Sequence, residues 1–467
     1  MSAMASAQET QRPRPRRGDA VEVTIESLAH GGAGVGRADG FVVFVRGAVP
    51  GDRVRARIGK AKRSFAEAQL EQILEAAPER IEPRAEHPGA PWQVLPYERQ
   101  LEIKHGQVID ALTRLGGFEA PPVEPILPAV EQWRYRNKLE YSFGRREDGG
   151  LALGFHRAGR WDLIDDIESD VLASERVDEL RLAVRSWCRD QGLEPYDRGD
   201  PGRPDGAGGF LRNLVVREGR RTGQIQARIV TSAGTFPHDE LAATIAADSV
   251  LWTQAQDVAE TTRGGRTKLL KGVSALEEEL DLRGARLKFS ISPDAFFQTN
   301  TEMAEALYAT AAELAGLTGR ERVFDLYCGI GTIALALALD ARAVVGVESV
   351  ERAVADAIGN AERNGVDNAR FFAGDVRTAM RPLIEQEGRA DVVVIDPPRA
   401  GLTQKIVRRV LEVQARRIVY VSCNPTTLAP NARQFVDAGY ELKTVRPVDM
   451  FPQTPHIECV ALLERTG

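Results

Sequence analysis

Cysteine is scarce in this chain, with 4 in 467 residues, at positions 188, 328, 423 and 459. That spacing leaves no CxxC metal pair and no disulfide framework, so reduced thiols are expected. No apolar run nears the roughly 18 residues that a membrane span requires. The opening stretch, MSAMASAQETQRPRPRRGD, has no apolar centre of a secretory leader, so a cytoplasmic location without membrane association is expected. No segment repeats at a fixed period.

With 43% hydrophobic and 27% charged residues the chain reads as globular, and its length points to two to four domains. The net charge of −6 argues weakly against a nucleic-acid partner. Basic residues nevertheless cluster in RPRPRR (12–17) and RVRARIGKAKR (53–63). Arg53, Arg55 and Arg57 alternate, which on a strand puts them on one face, either simply solvated or available to RNA.

Residues 1–17 read as a disordered basic tail. Short period-2 runs between turn residues over 18–78 predict a small β-barrel of OB type. A connecting segment, 79–130, carries one helix, YERQLEIKHGQVIDALTRLGG, closed by Gly116-Gly117, and then a Pro-rich linker at 120–130. Residues 131–285 mix strands and helices, an α+β domain with a long Gly/Asp/Pro loop, DRGDPGRPDGAGG. Cys188 falls in one of its helices and reads as core. Residues 286–467 alternate strand and helix, the pattern of a doubly wound, Rossmann-like α/β sheet, here with an antiparallel end strand.

In such sheets ligands sit beyond the carboxyl ends of the strands. The first strand runs into DLYCGIGT, where Gly329 and Gly331 allow a tight turn. The second ends in Glu348, about 20 residues on, where a carboxylate can accept from a ribose diol. The third ends at Asp375 and the fourth at Asp396, in IDPPRAG. Acids on one edge of strands one to four suit a nucleoside cofactor carrying a cation, such as S-adenosylmethionine, better than one carrying a pyrophosphate.

The fifth strand, RIVYVS, runs straight into Cys423 and then Asn424-Pro425. A thiol beside a methyl-donor site has a specific use. Carbon 5 of uracil is a poor nucleophile, and a thiolate adding to carbon 6 activates it; a base must afterwards take the carbon-5 proton. Glu458, in FPQTPHIECV, is the candidate base, and Cys459 on the opposite strand face is left as packing. Cys328, inside the cofactor turn, is the rival nucleophile. His456 reads either as a loop histidine or as a group tuning Glu458.

These residues resemble the S-adenosylmethionine-dependent RNA uracil-5 methyltransferases, over nearly the whole chain. The motifs are YRNKLEYSFG (135–144), FFQTN (296–300), DLYCGIGT, DPPRAG, VYVSCNPTTLA and HIE, after a TRAM-type barrel at 18–78. The resemblance implies Cys423 as nucleophile and Glu458 as proton acceptor. It implies Gln298, Tyr327, Thr332, Glu348, Asp375 and Asp396 as cofactor contacts, with Thr332 where some members have Asn. It also implies that the barrel and the middle domain grip RNA and that the target uridine is flipped out; a monomer is expected. Ribosomal 23S RNA is the favoured substrate and tRNA the alternative.

Many members of this family hold an iron–sulfur cluster through four cysteines. Here the corresponding stretch is EPRAEHPGAPWQVLPYERQ, with Ala85 at the first position and the CxxC part missing, and the fourth position falls near Asp170. No cluster is expected, and packing through Trp92 and Tyr97 is expected to hold the segment. Two other readings are cytosine-5 methylation by the same thiol addition, and an RNA-binding protein with a vestigial pocket.

Overall fold

The computed structural model describes residues 14–157, 160–196, 209–255, 262 and 264–467. Most of the expected basic tail and nearly all of the Gly/Asp/Pro loop lie outside the described residues. The chain groups into two compact units. One comprises the chain up to Pro83 with Pro91–Ile103 and Gln453–Pro455; the other comprises Arg84–Ala90, Lys104–Pro452 and His456–Gly467. Among the described residues no helix is long and apolar enough to cross a membrane.

In the first unit β1 (Ala20–Leu28), β2 (Gly34–Ala38), β3 (Phe41–Arg46), β4 (Arg53–Ala61) and β5 (Phe65–Glu75) close a barrel in the order β1-β2-β3-β5-β4. Strict alternation builds it: Val54, Ala56 and Ile58 point inward to Val23, Val43 and Val45, while their neighbours face out. Arg53, Arg55 and Arg57 do share the outer face, but their charge is matched. Arg53 meets Glu22 at 3.0 Å and Glu75 at 2.6 Å, Arg55 meets Glu22 at 3.1 Å, and Arg57 pairs with Glu71. Further along the same basic run Lys60, Lys62 and Arg63 are exposed and have no carboxylate partner among the described residues.

The helix foreseen before the linker is α1 (Tyr97–Arg114); Gly117 follows it at φ 66°, a left-handed conformation that glycine adopts without strain. In the second unit β6 (Lys138–Arg145), β7 (Leu151–Arg157), β8 (Arg160–Asp165), β9 (Leu211–Glu218), β10 (Ile225–Thr231), β11 (Ser249–Gln254) and β12 (Arg266–Lys271) form one sheet, ordered β12-β11-β10-β9-β6-β7-β8. Helices α2 (Glu175–Asp190) and α3 (His238–Thr244) supply part of its core, in which Cys188 is fully buried.

Asp170 is the polar node of this region. Its Oδ1 accepts from His87 Nε2 at 2.9 Å and from the amides of Leu172 and Ala173, and its Oδ2 accepts from the Tyr141 hydroxyl at 2.8 Å. The Gly89 amide donates to His87 Nδ1, which leaves Nε2 to face Asp170. Burial alone would raise the Asp170 pKa; the His87, Tyr141 and backbone donors outweigh it and hold the carboxylate below its usual range. The stretch expected to hold itself through Trp92 and Tyr97 is thus divided. Trp92 packs with Leu28, Val49, Ala77 and Leu95 in the first unit, Tyr97 is half-buried, and His87 is anchored by charge-assisted hydrogen bonding in the second.

A hairpin, β13 (Leu276–Leu282) and β14 (Ala285–Ile291), and α4 (Thr301–Ala315) lead into the C-terminal sheet, and Leu280, Phe289 and Leu307 join its core. The sheet consists of β15 (Arg322–Leu326), β16 (Ala343–Glu348), β17 (Ala369–Ala373), β18 (Val392–Ile395), β19 (Arg417–Ser422), β20 (Tyr440–Val448) and β21 (Glu458–Arg465). Between them run α5 (Thr332–Ala338), α6 (Glu351–Arg363), α7 (Val376–Glu387), α8 (Gln404–Val413) and α9 (Pro425–Asp437). The strand order is β17-β16-β15-β18-β19-β21-β20. The antiparallel last strand was expected at the end of the sheet; it inserts between β19 and β20, pairing antiparallel with both. A β-hairpin from β20 makes that insertion possible, because antiparallel neighbours need no crossover helix.

Candidate active site

At the carboxyl edge β15 ends at Leu326, and the chain turns at once. Tyr327 adopts φ 66°, unusual for a residue with a side chain, and Gly331 adopts φ 88° as it caps α5. A Cβ on Gly331 would come within 3.1 Å of the Phe371 ring and 3.2 Å of Ala357, so the turn has no room for a larger residue. Glu348, at the end of β16, accepts from the Gly329 amide at 3.2 Å and the Val350 amide at 2.9 Å, which ties the second strand end to the first turn. Asp375 is exposed and caps α7 through the Arg377 amide. Gln298 is buried, and its carbonyl is held by Asn137 Nδ2 at 2.9 Å. The Thr332 hydroxyl contacts the Tyr308 hydroxyl at 3.3 Å.

Two carboxyls lie behind this edge. Asp325 is fully buried and, among the described residues, neither oxygen closes a hydrogen bond, although the Ala334 amide points toward it. Burial, with the neighbouring Asp396 second, pushes its pKa to about 8. Asp396, just past β18, is pushed to about 7 by burial. An unpartnered buried acceptor next to a second carboxyl is a place where a cation would find stabilisation. Sequence reasoning noted Asp325 only as the acid closing the first strand; its lack of partners is a property of the packed core.

The fifth strand positions the thiol. β19 ends at Ser422, Cys423 follows, and Asn424 caps α9 by accepting from the Thr426 amide at 3.0 Å, with Pro425 at the first helical position. The Asn424 side chain also donates to the Arg399 carbonyl at 3.2 Å, drawing the DPPRAG loop against the cysteine turn. In the β19–β21 register Ser422 faces Cys459, so the next position, Cys423, lies alongside Glu458.

Glu458 is only 4% exposed, and burial, then Asp396, raises its pKa well above the usual carboxylate range, with Arg399 opposing. Cys423 is half-buried; burial, then Glu458 and Asp396, pushes its thiol to about 11. The other three cysteines are buried. Cys188 and Cys459 lie in core clusters, and Cys328 in the turn after β15 is itself raised by burial. Among the four cysteines Cys423 combines access, a neighbouring carboxyl and a place at the carboxyl edge. His456 packs edge-on to the Phe451 ring, at 5.9 Å between centroids.

The structure therefore gathers Cys423, Glu458, Asp396 and Asp325 into one electrostatically coupled group, with Tyr308 buried among the fields of these last three acids. Tyr308 carried no mark of function in the sequence, and Arg399 stood there only as part of the DPPRAG motif.

Comparisons with known proteins show the family of the chain. A family profile described as tRNA (Uracil-5-)-methyltransferase matches residues 238–466, and a TRAM domain profile matches residues 14–70. An uncharacterized RNA methyltransferase of Halalkalibacterium halodurans is 39% identical over 458 residues, covering 96% of this chain and 97% of its own. One from Gloeobacter violaceus is 40% identical over 461 residues, with 96% and 97% covered. Among solved structures, Pyrococcus abyssi tRNA (uracil-54, C5)-methyltransferase in complex with S-adenosyl-L-homocysteine superposes with a TM-score of 0.75 at 28% identity. It covers 95% of this chain and 100% of that one.

Proposed function

The chain belongs to the tRNA (uracil-5-)-methyltransferase family and is an S-adenosylmethionine-dependent RNA methyltransferase, and from that premise we propose that it forms 5-methyluridine in 23S rRNA, with Cys423 as nucleophile and Glu458 as proton acceptor. The observation that carries the residue roles is the strand register that sets Cys423 beside Glu458.

The Cys423 thiolate adds to carbon 6 of a uracil flipped into the pocket, and the electrons of the C5–C6 double bond pass to the enolate. S-adenosylmethionine, when bound, supplies an electrophilic methyl group to carbon 5. Glu458 takes the carbon-5 proton, the double bond re-forms, and Cys423 departs as thiolate. Gln298, Tyr327, Thr332, Glu348, Asp375 and Asp396 would hold the cofactor, and the unpartnered carboxyl of Asp325 fits its positive charge.

That fit has a pH signature. Between pH 6 and 8.5 Asp396 and Asp325 pass through their values of about 7 and about 8 and become anionic. The affinity ratio of cationic S-adenosylmethionine to its neutral thioether product should therefore rise about tenfold over that range, measured by calorimetric titration of both ligands. A flat ratio removes these carboxyls from cation recognition. In the free protein the sign is opposite. Both folded carboxyls keep protons that the unfolded chain releases near pH 4, so their contribution to stability is lost as pH rises through about 7 to 8.

A second reading, methylation of a tRNA T-loop uridine, is favoured by the tRNA (uracil-54, C5) neighbour, which aligns over the barrel as well as the catalytic domain. Covalent trapping separates the two. Fluorine at carbon 5 blocks proton removal, so with S-adenosylmethionine and total cellular RNA containing 5-fluorouridine the enzyme should remain attached to its substrate. Sequencing the attached RNA identifies 23S rRNA or tRNA. Absence of any adduct from protein that still binds RNA would turn the assignment to cytosine chemistry or to a non-catalytic role.

A further inference from the structure

The ten-position step from Val448 to Glu458 is a hairpin whose strands pair Val448 with Glu458. Asp449 follows Val448 directly, and it is fully buried against an equally buried ammonium: Lys104 Nζ lies 2.6 Å from Asp449 Oδ1. The same ammonium donates to the Phe451 carbonyl at 3.0 Å. The flanking carbonyls are also taken. Asn300 Nδ2 donates to the Met450 carbonyl at 3.0 Å, and the Tyr135 hydroxyl donates to the Pro452 carbonyl at 3.0 Å. The Asp449 amide donates to the Leu127 carbonyl at 2.9 Å. Three successive carbonyls thus receive three buried side-chain donors, from α1, from the approach to β6 and from the cap of α4.

A buried ion pair contributes little to stability relative to apolar residues of the same volume, so its use here calls for a geometric reason. Resting on the reading of Glu458 as proton acceptor, we propose that Lys104, with Asp449, is a positioning residue for the elimination step. It fixes the backbone beside Val448, and through that cross-strand pair the place of the Glu458 carboxylate. Lys104 does not face the reacting atoms. Its loss should leave Cys423 addition and methyl transfer nearly intact and slow the removal of the carbon-5 proton.

The test uses the full-length enzyme, radiolabelled S-adenosylmethionine and a transcript bearing the uridine identified by trapping, in rapid-quench experiments. These count label in the covalent protein–RNA adduct and label in free RNA. For Lys104→Met, and for the compensated pair Lys104→Met/Asp449→Leu that leaves no lone buried charge, methyl transfer should stay within about threefold of the parent. Release should slow about tenfold, so adduct accumulates on ordinary uridine. Tyr135→Phe, which removes one hydroxyl and no charge, should show a smaller delay in the same step. Equal slowing of both steps, or parent-like partition in folded variants, would overturn the proposal. Glu458→Gln is the control: if it fails to accumulate adduct, the base assignment itself falls; if it accumulates adduct and the Lys104 variants do not, only the clamp falls.

Discussion

Cys423→Ala is expected to lower turnover by about 10⁴-fold or more, because without the thiolate carbon 5 of uracil stays unactivated. The variant should still bind RNA and S-adenosylmethionine, since the turn around residue 423 is held by the Asn424 cap and its bond to Arg399. It should form no covalent adduct with 5-fluorouridine RNA, read by denaturing electrophoresis. The parent adds a pH test. With the thiol pushed to about 11, the thiolate is a minor species at neutral pH, and the trapping rate should climb about tenfold per pH unit from 7 to 9. A pH-independent trapping rate, or an adduct formed by Cys423→Ala, would move the nucleophile elsewhere, Cys328 first.

Glu458→Gln is expected to reduce multiple-turnover methylation by about 10²- to 10⁴-fold, the usual range for loss of a general base. The pattern matters more than the size. Glu458 is the next contributor after burial to the raised Cys423 pKa, so removing its charge should leave addition as fast as in the parent or faster. Release should fail, and methylated RNA should remain attached to the enzyme. Slower addition with normal release would assign Glu458 to thiol deprotonation instead. Unchanged turnover would take it out of the reaction altogether.

Much of this site could be read in one dimension because its parts are strand ends. Alternating and continuous apolar runs locate strands, and the residue just past each run must lie on the carboxyl edge. That logic placed Glu348, Asp375, Asp396 and Cys423 before any fold was known, and the resemblance to uracil-5 methyltransferases added Gln298, Tyr327, Thr332 and the role of Glu458. It could not see what neighbouring chain segments do to a charge. Arg53, Arg55 and Arg57 alternate as expected, yet the carboxylates that match them stand on β1 and β5. Asp170 looked like the remnant of a lost ligand position, and its oxygens are engaged by His87, Tyr141 and two backbone amides.

By itself, the amino-acid sequence determined the barrel, the strand–helix alternation, the sharp turns at Gly331 and Asn424-Pro425, and the chemical types available at the catalytic edge. These follow from side-chain periodicity and backbone preference, which act over a few residues. Only the tertiary structure decided that β21 inserts beside β19, and hence that Glu458 stands next to Cys423. Only it decided that Asp325 closes no hydrogen bond among the described residues and that Lys104 is buried against Asp449. Strand order, desolvation and the pairing of buried charges depend on residues distant in sequence, and the proton affinities that govern this chemistry arise from them.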